Sequence, residues 1–80
     1  MKTVALYPGS FDPITYGHLD IMERATDLFD TVIATIAVNN RKEAVFTGDE
    51  REQLLRQCLE GKKWADKVEV EQFTGLLVDF

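Results

Sequence analysis

The spacing of apolar positions changes repeatedly along the chain, and each change marks an element. Val4-Ala5-Leu6-Tyr7 is a short apolar run closed by Pro8-Gly9, and its brevity and flanking turn residues predict a buried strand. Thr15 is placed to cap a helix expected from Gly17 to Phe29. Leu19, Met22, Ala25 and Leu28, with Ile21 and Phe29 alongside, supply its apolar stripe, while Asp20, Glu23, Arg24 and Asp27 face water. Thr31 to Val38 reads TVIATIAV, almost continuously apolar and β-branched, which predicts a central parallel strand covered on both faces. Thr47-Gly48-Asp49-Glu50 has the form of a capping box and opens a second helix expected to run to Glu60. Leu54, Leu55, Cys58 and Leu59 form its apolar face, Glu52 and Arg56 are spaced to pair, and Gly61 suits the C-terminal cap. Val68-Glu69-Val70-Glu71 then alternates apolar with acidic residues, as a half-exposed strand near a sheet edge does.

The order is β-α-β-α-β. Right-handed crossovers turn that order into half of a doubly wound, Rossmann-like parallel sheet with strand order 3-2-1, in a three-layer α/β fold. The first strand is then open where a fourth would pair, and no stop signal precedes Phe80. Residues 1–80 are therefore expected to be the N-terminal part of one domain that continues beyond them.

Composition adjusts this picture in three places. A core built from 80 residues supplies roughly 3–5 kcal/mol, so the piece should be marginal alone. Nine Lys and Arg against 14 Asp and Glu give a net charge of −5, which favours neither nucleic acid nor an anionic membrane. Any phosphate must be held by local groups, and Lys62-Lys63 beside Trp64 reads as solvated surface. The single cysteine, Cys58, excludes a disulfide within the chain and fits a reducing compartment. Apolar runs are too short for a signal peptide or a spanning helix, so a cytoplasmic location is expected.

In such a sheet, ligands bind beyond the carboxyl ends of the strands where strand order reverses, here the end of the first strand. Gly9 would let backbone approach a ligand and Ser10 adds a hydroxyl. The opening turn of the first helix, near Gly17-His18, offers unpaired amides and a positive dipole end. Together these make an anion cradle.

The string YPGSFDPITYGH, Tyr7 to His18, resembles the signature of the nucleotidyltransferase superfamily, and in particular of the phosphopantetheine adenylyltransferases. Arg41-Lys42, Phe46-Thr47, Glu50-Arg51 and Gly75-Leu76-Leu77-Val78-Asp79-Phe80 extend the likeness along essentially the whole chain. Ser10 stands where threonine is common, and the hydroxyl survives. Thr15 in place of the first histidine of the broader H-x-G-H motif follows this family's own pattern. The resemblance implies a truncated nucleotidyltransferase fold and transfer of the adenylyl group of ATP to 4′-phosphopantetheine, giving dephospho-coenzyme A and pyrophosphate without a covalent enzyme intermediate.

By matching positions, the resemblance implies that Ser10 and Phe11 contact ATP, with Ser10 also reaching the acceptor phosphate. His18 would donate to the α-phosphate in the transition state. Lys42 would bring its charge to the acceptor phosphate, and Leu77 would line the pantetheine arm through its backbone. Magnesium would enter with ATP, since no metal-ligand cluster occurs in the chain, and the family works as a homohexamer. Each role has a plain structural competitor: a cap or core position for His18, a solvated loop for Lys42, simple packing for Leu77. Two further readings stay open, a related nucleotidyltransferase with another acceptor and a non-catalytic phosphate-binding fragment. The second half of the family's fold, with its arginine-containing segment and serine-rich turn, is not in these residues.

Overall fold

The computed structural model describes residues 2–38 and 46–74. Three parallel strands, β1 (Val4–Gly9), β2 (Thr31–Val38) and β3 (Val68–Thr74), form one sheet in the order β1-β2-β3. Between them run the helices α1 (Tyr16–Leu28) and α2 (Gly48–Leu59). The expected order 3-2-1 is this order, with β2 central. Val4 pairs with Thr31 and Gly9 with Ile36, while Val32 to Val38 pair with Val68 to Thr74. No helix among the described residues is long and apolar enough to cross a membrane.

Both crossovers carry their helices to the same face, as right-handed connections moving in one direction must. Leu19 and Met22 of α1 and Leu55 and Leu59 of α2 meet Ala34, Ile36 and Val70 in one core, joined by Phe11. Two of the three expected layers thus lie within the described residues. The other face carries Val4 and Leu6, 55% and 68% exposed, so β1, expected to be buried, contains no buried residue; on β2 that face holds the half-buried Thr31 and Ile33 and the buried Thr35.

The caps follow the sequence closely. Thr47 Oγ1 accepts from the Glu50 amide at 3.1 Å, and Glu50 Oε1 accepts from the Thr47 amide at 2.9 Å. Gly61 takes the positive φ of 80° that ends the α2 segment. The apolar stripe of α1 differs from expectation. Leu19, Met22 and Thr26 are buried, whereas Leu28 is 76% exposed, because nine residues at about 100° each put Leu28 about half a turn away from Leu19. Thr26 is admitted to the core because its hydroxyl donates to the Glu23 carbonyl at 2.6 Å. Cys58 is half-buried rather than buried.

Across the β3 edge, Gln72 Nε2 donates to Glu52 Oε1 at 2.7 Å and to Asp49 Oδ1 at 3.0 Å, and Arg56 Nε pairs with Glu52 Oε2 at 2.8 Å. The Gln72 hydrogen bond first, and Arg56 second, hold the Glu52 carboxyl below its ordinary value of 4.5. The folded state therefore binds that proton less readily than the unfolded chain. Its stabilising contribution is complete above the ordinary carboxylate range and disappears as pH falls through the lowered folded value. In urea melts from about pH 6 down to about pH 3, Glu52→Gln should lose stability less steeply than the parent protein. Parallel pH profiles would show that Glu52 does not contribute to the acid transition.

Candidate functional site

β1 ends at Gly9, and Ser10 to Thr15 turn the chain into α1. Phe11 occupies the left-handed region, with φ 48°, a placement that costs a non-glycine residue of order 1–3 kcal/mol. Burial of its ring offsets that cost. The ring is 1% exposed and packs edge-on against Tyr7, with centroids 5.4 Å apart, and against His18, 4.9 Å apart. A Cβ on Gly9 would lie 3.2 Å from Phe11 Cζ, so the missing side chain at Gly9 leaves room for this ring. With the ring turned inward, Phe11 is buried as a whole residue, next to the exposed Ser10.

At the start of α1, Thr15 and His18 cap one another. Thr15 Oγ1 accepts from the His18 amide at 3.3 Å, and His18 Nδ1 accepts from the Thr15 amide at 3.0 Å. The imidazole fills the place usually taken by glutamate in a capping box. A ring nitrogen that accepts carries no proton, so in the neutral imidazole the proton sits on Nε2, which is thereby a donor. Contacts with Phe11 and Tyr7 fix the plane of the ring. Burial pushes the Tyr7 hydroxyl above its ordinary 10.0, so this neighbour stays neutral.

Two side chains tie the loop after β1 to the start of α2. Asp12 Oδ1 accepts from the Phe46 amide at 2.8 Å. Arg51, 3% exposed, donates from Nη1 to the carbonyls of Ser10 at 2.9 Å and Ala37 at 3.2 Å, and from Nε to the Thr47 carbonyl at 3.2 Å. Removing a cation from water costs several kcal/mol, and hydrogen bonds from a charged donor return about 1.5–3 kcal/mol each. Three such bonds make the burial tenable.

Ser10 and His18 thus lie at the same end of the sheet, beyond the carboxyl end of β1, where the sequence placed them. Phe11 lies between them in sequence and is buried. Lys42 and Leu77 fall outside the described residues. Arg51 and Asp12 were not singled out by the sequence reading. Arg51 did leave a signal, because positions 51, 55 and 59 share one helical face and an arginine there needs partners. Open grooves lie elsewhere: one of about 440 Å³ runs between Tyr16, Leu19 and Glu23 and the Lys62-Lys63-Trp64 turn. Asp20 and Glu23 line it with the two lysines, so the charge is mixed and no basic patch forms.

The tautomer is directly measurable. Long-range ¹⁵N–¹H correlation at about pH 8.5, where an imidazole is neutral, should report His18 as the Nε2–H form. An Nδ1–H signal would break the Thr15 contact and remove the outward donor.

Comparison with known proteins agrees with this geometry. Residues 6–80 match the model of the cytidylyltransferase-like family. Proteins named phosphopantetheine adenylyltransferase are 51% identical over 77 residues in Geotalea daltonii, covering 96% of this chain and 46% of the relative. In Desulfotalea psychrophila the identity is 50% over 78 residues, covering 98% and 45%. The chain thus spans about half the length of the curated relatives it matches. Among solved structures, a Plasmodium falciparum nicotinic acid mononucleotide adenylyltransferase in complex with NaAD superposes with a TM-score of 0.78 at 22% identity, covering 90% of this chain and 37% of that one. A bifunctional NMN adenylyltransferase/ADP-ribose pyrophosphatase from Francisella tularensis, solved with AMP and manganese, gives 0.79 at 22%, covering 99% and 24%. These two share the fold. From the sheet order, the loop after β1 and a match reaching from Leu6 to Phe80, the chain belongs to the cytidylyltransferase-like family.

Proposed function

We propose that the full-length protein transfers the adenylyl group of ATP to 4′-phosphopantetheine, releasing pyrophosphate and forming dephospho-coenzyme A. The observation that supports this reading is the connection from β1 to α1 at the sheet's carboxyl end, which carries Ser10 and Phe11 and opens α1 with His18 held by the Thr15 amide through Nδ1. About 50% identity to proteins named for that reaction supports the choice of acceptor. An oxygen of the acceptor phosphate attacks the α-phosphorus in line. The new O–Pα bond forms as the bond from Pα to the bridging oxygen of Pβ breaks, and pyrophosphate leaves with that electron pair.

No protein group needs to become covalently attached, so the chain's task is positioning and electrostatic stabilisation. His18 Nε2–H donates to the α-phosphate oxygen on which charge grows, and the Thr15 amide keeps that proton on the outward nitrogen. Ser10 and the Phe11 amide hold phosphate at the end of β1. Lys42 supplies a compact charge to the acceptor phosphate, and the backbone at Leu77 lines the pantetheine arm. Magnesium arrives as MgATP: among the described residues no three His, Cys, Asp or Glu side chains gather to hold an ion, and no step is assigned to it. The same reading makes the protein a cytoplasmic homohexamer.

The competing reading keeps adenylyl transfer but changes the acceptor to a pyridine mononucleotide, as named for the two structural neighbours. Pyrophosphate release by the full-length chain, with ATP and each acceptor in turn, separates the two. Turnover should require 4′-phosphopantetheine. His18→Ala should lower kcat by about 10²–10³-fold, the usual loss for one transition-state donor, with little change in KM for ATP. Lys42→Ala should raise KM for the acceptor. A His18 variant that loses ATP binding and turnover equally would give the residue a ground-state role, and an unaltered Lys42 variant would return that side chain to a solvated loop.

A further inference from the structure

We infer that Arg51 is a positioning residue for the nucleotide, acting through the peptide that joins Ser10 to Phe11; the inference rests on the adenylyl-transfer reading. Its basis is the place the guanidinium occupies. The β1–β2 ladder ends at the pair Gly9 and Ile36. The next residues along the two strands are Ser10 and Ala37, and a single atom, Arg51 Nη1, takes both their carbonyls, at 2.9 and 3.2 Å. Arg51 therefore sits in the fork where the two strands part, supplying the rung that the ladder no longer provides. Nε holds the third carbonyl, that of Thr47, which is also the N-cap of α2. Only a guanidinium presents enough donors, in a fixed plane, to serve three segments at once.

The consequence for the site comes from peptide geometry. The Ser10–Phe11 bond is trans, since the cis peptide in this turn is Asp12–Pro13. In a trans peptide the C=O and N–H point in opposite directions. Drawing the Ser10 carbonyl into the fork directs the Phe11 amide the other way, out of the fork. There, among the described residues, no protein acceptor meets it. Phe11 is also the residue held at φ 48°, a conformation that its buried ring and the Arg51 bond on the preceding carbonyl jointly maintain. A donor fixed in this way needs no reorganisation when a phosphate arrives. A brace serving stability alone could hold Ala37 and Thr47 and leave Ser10 to water.

The test uses the full-length chain with Arg51→Met and Arg51→Lys. ATP affinity, kcat and the melting temperature are measured together with the ¹⁵N–¹H signal of the Phe11 amide during ATP titration. In the parent protein that signal should move and saturate with ATP. In Arg51→Met the shift should be lost and kcat should fall about 10²-fold, the penalty typical of a misplaced binding group, in protein that still melts cooperatively. Arg51→Lys keeps the charge but serves fewer carbonyls, so its kcat should lie between the two. If Arg51→Met does not fold, Arg51→Lys decides on the same measures. A folded variant with a lowered melting temperature but parental ATP affinity, kcat and Phe11 shift would reduce Arg51 to a brace for α2 and overturn the inference. A parent protein whose Phe11 amide ignores ATP would overturn it as well. Should the parent protein bind ATP and shift the Phe11 signal yet release no pyrophosphate with 4′-phosphopantetheine, the functional reading fails, while ATP affinity and the amide shift still decide the role of Arg51.

Discussion

Phe11 leaves the end of β1 in a left-handed conformation, and its ring goes back into the core instead of out to solvent. Much of the local architecture follows from that reversal. Gly9 must lack a side chain because the ring lies across it. Tyr7 and His18 are held by the ring's faces and edges. A bulky apolar residue in a loop would ordinarily be a liability. Here it anchors the loop to the core shared by β2, α1 and α2, so the donors around it are carried on a rigid support.

The support is built from both strand-to-helix connections. His18 belongs to α1, yet its ring is oriented by the Thr15 amide and by Phe11. Arg51 belongs to α2, yet its guanidinium ends in the fork between β1 and β2. Asp12 reaches Phe46 from the other direction. A displacement of α2 would therefore be felt at the end of β1 through main-chain hydrogen bonds. This coupling matters for the proposed reaction, in which two anions would be aligned with no covalent bond to the protein.

Much of the fold was legible in the sequence because its signals are local. The β-branched run of β2, the Thr47/Glu50 box and the Gly61 cap each fix an element within a few residues, and two right-handed crossovers then leave one strand order. The loop after β1 was legible as a motif, and Ser10 and His18 lie at the carboxyl end of β1 and the start of α1. What could not be read depends on contacts distant in sequence. Arg51 lies 41 positions from the Ser10 carbonyl it holds; its place on one helical face with Leu55 and Leu59 says that it needs partners but not which ones. The contact at Gly9 could not be read for the same reason, since its neighbour in space is a ring whose direction is set by the φ of Phe11. In α1 the stripe was drawn too wide, taking in Ile21, Leu28 and Phe29, all exposed, because apolar residues were favoured over a threonine that satisfies its own hydroxyl. Val4 and Leu6, exposed on the sheet's second face, show that strand pattern alone does not say which face is covered.

The central claim is that this site aligns two phosphates for direct transfer, with nothing on the protein attacking phosphorus. Stereochemistry at the transferred centre tests it most directly. The full-length protein would be given ATP made chiral at the α-phosphorus, with 4′-phosphopantetheine as acceptor, and the configuration of the dephospho-coenzyme A formed would be determined. A single in-line displacement predicts inversion. Retention would require two displacements through an adenylylated side chain, and would contradict an account in which Ser10, Phe11, His18 and Arg51 only hold and stabilise.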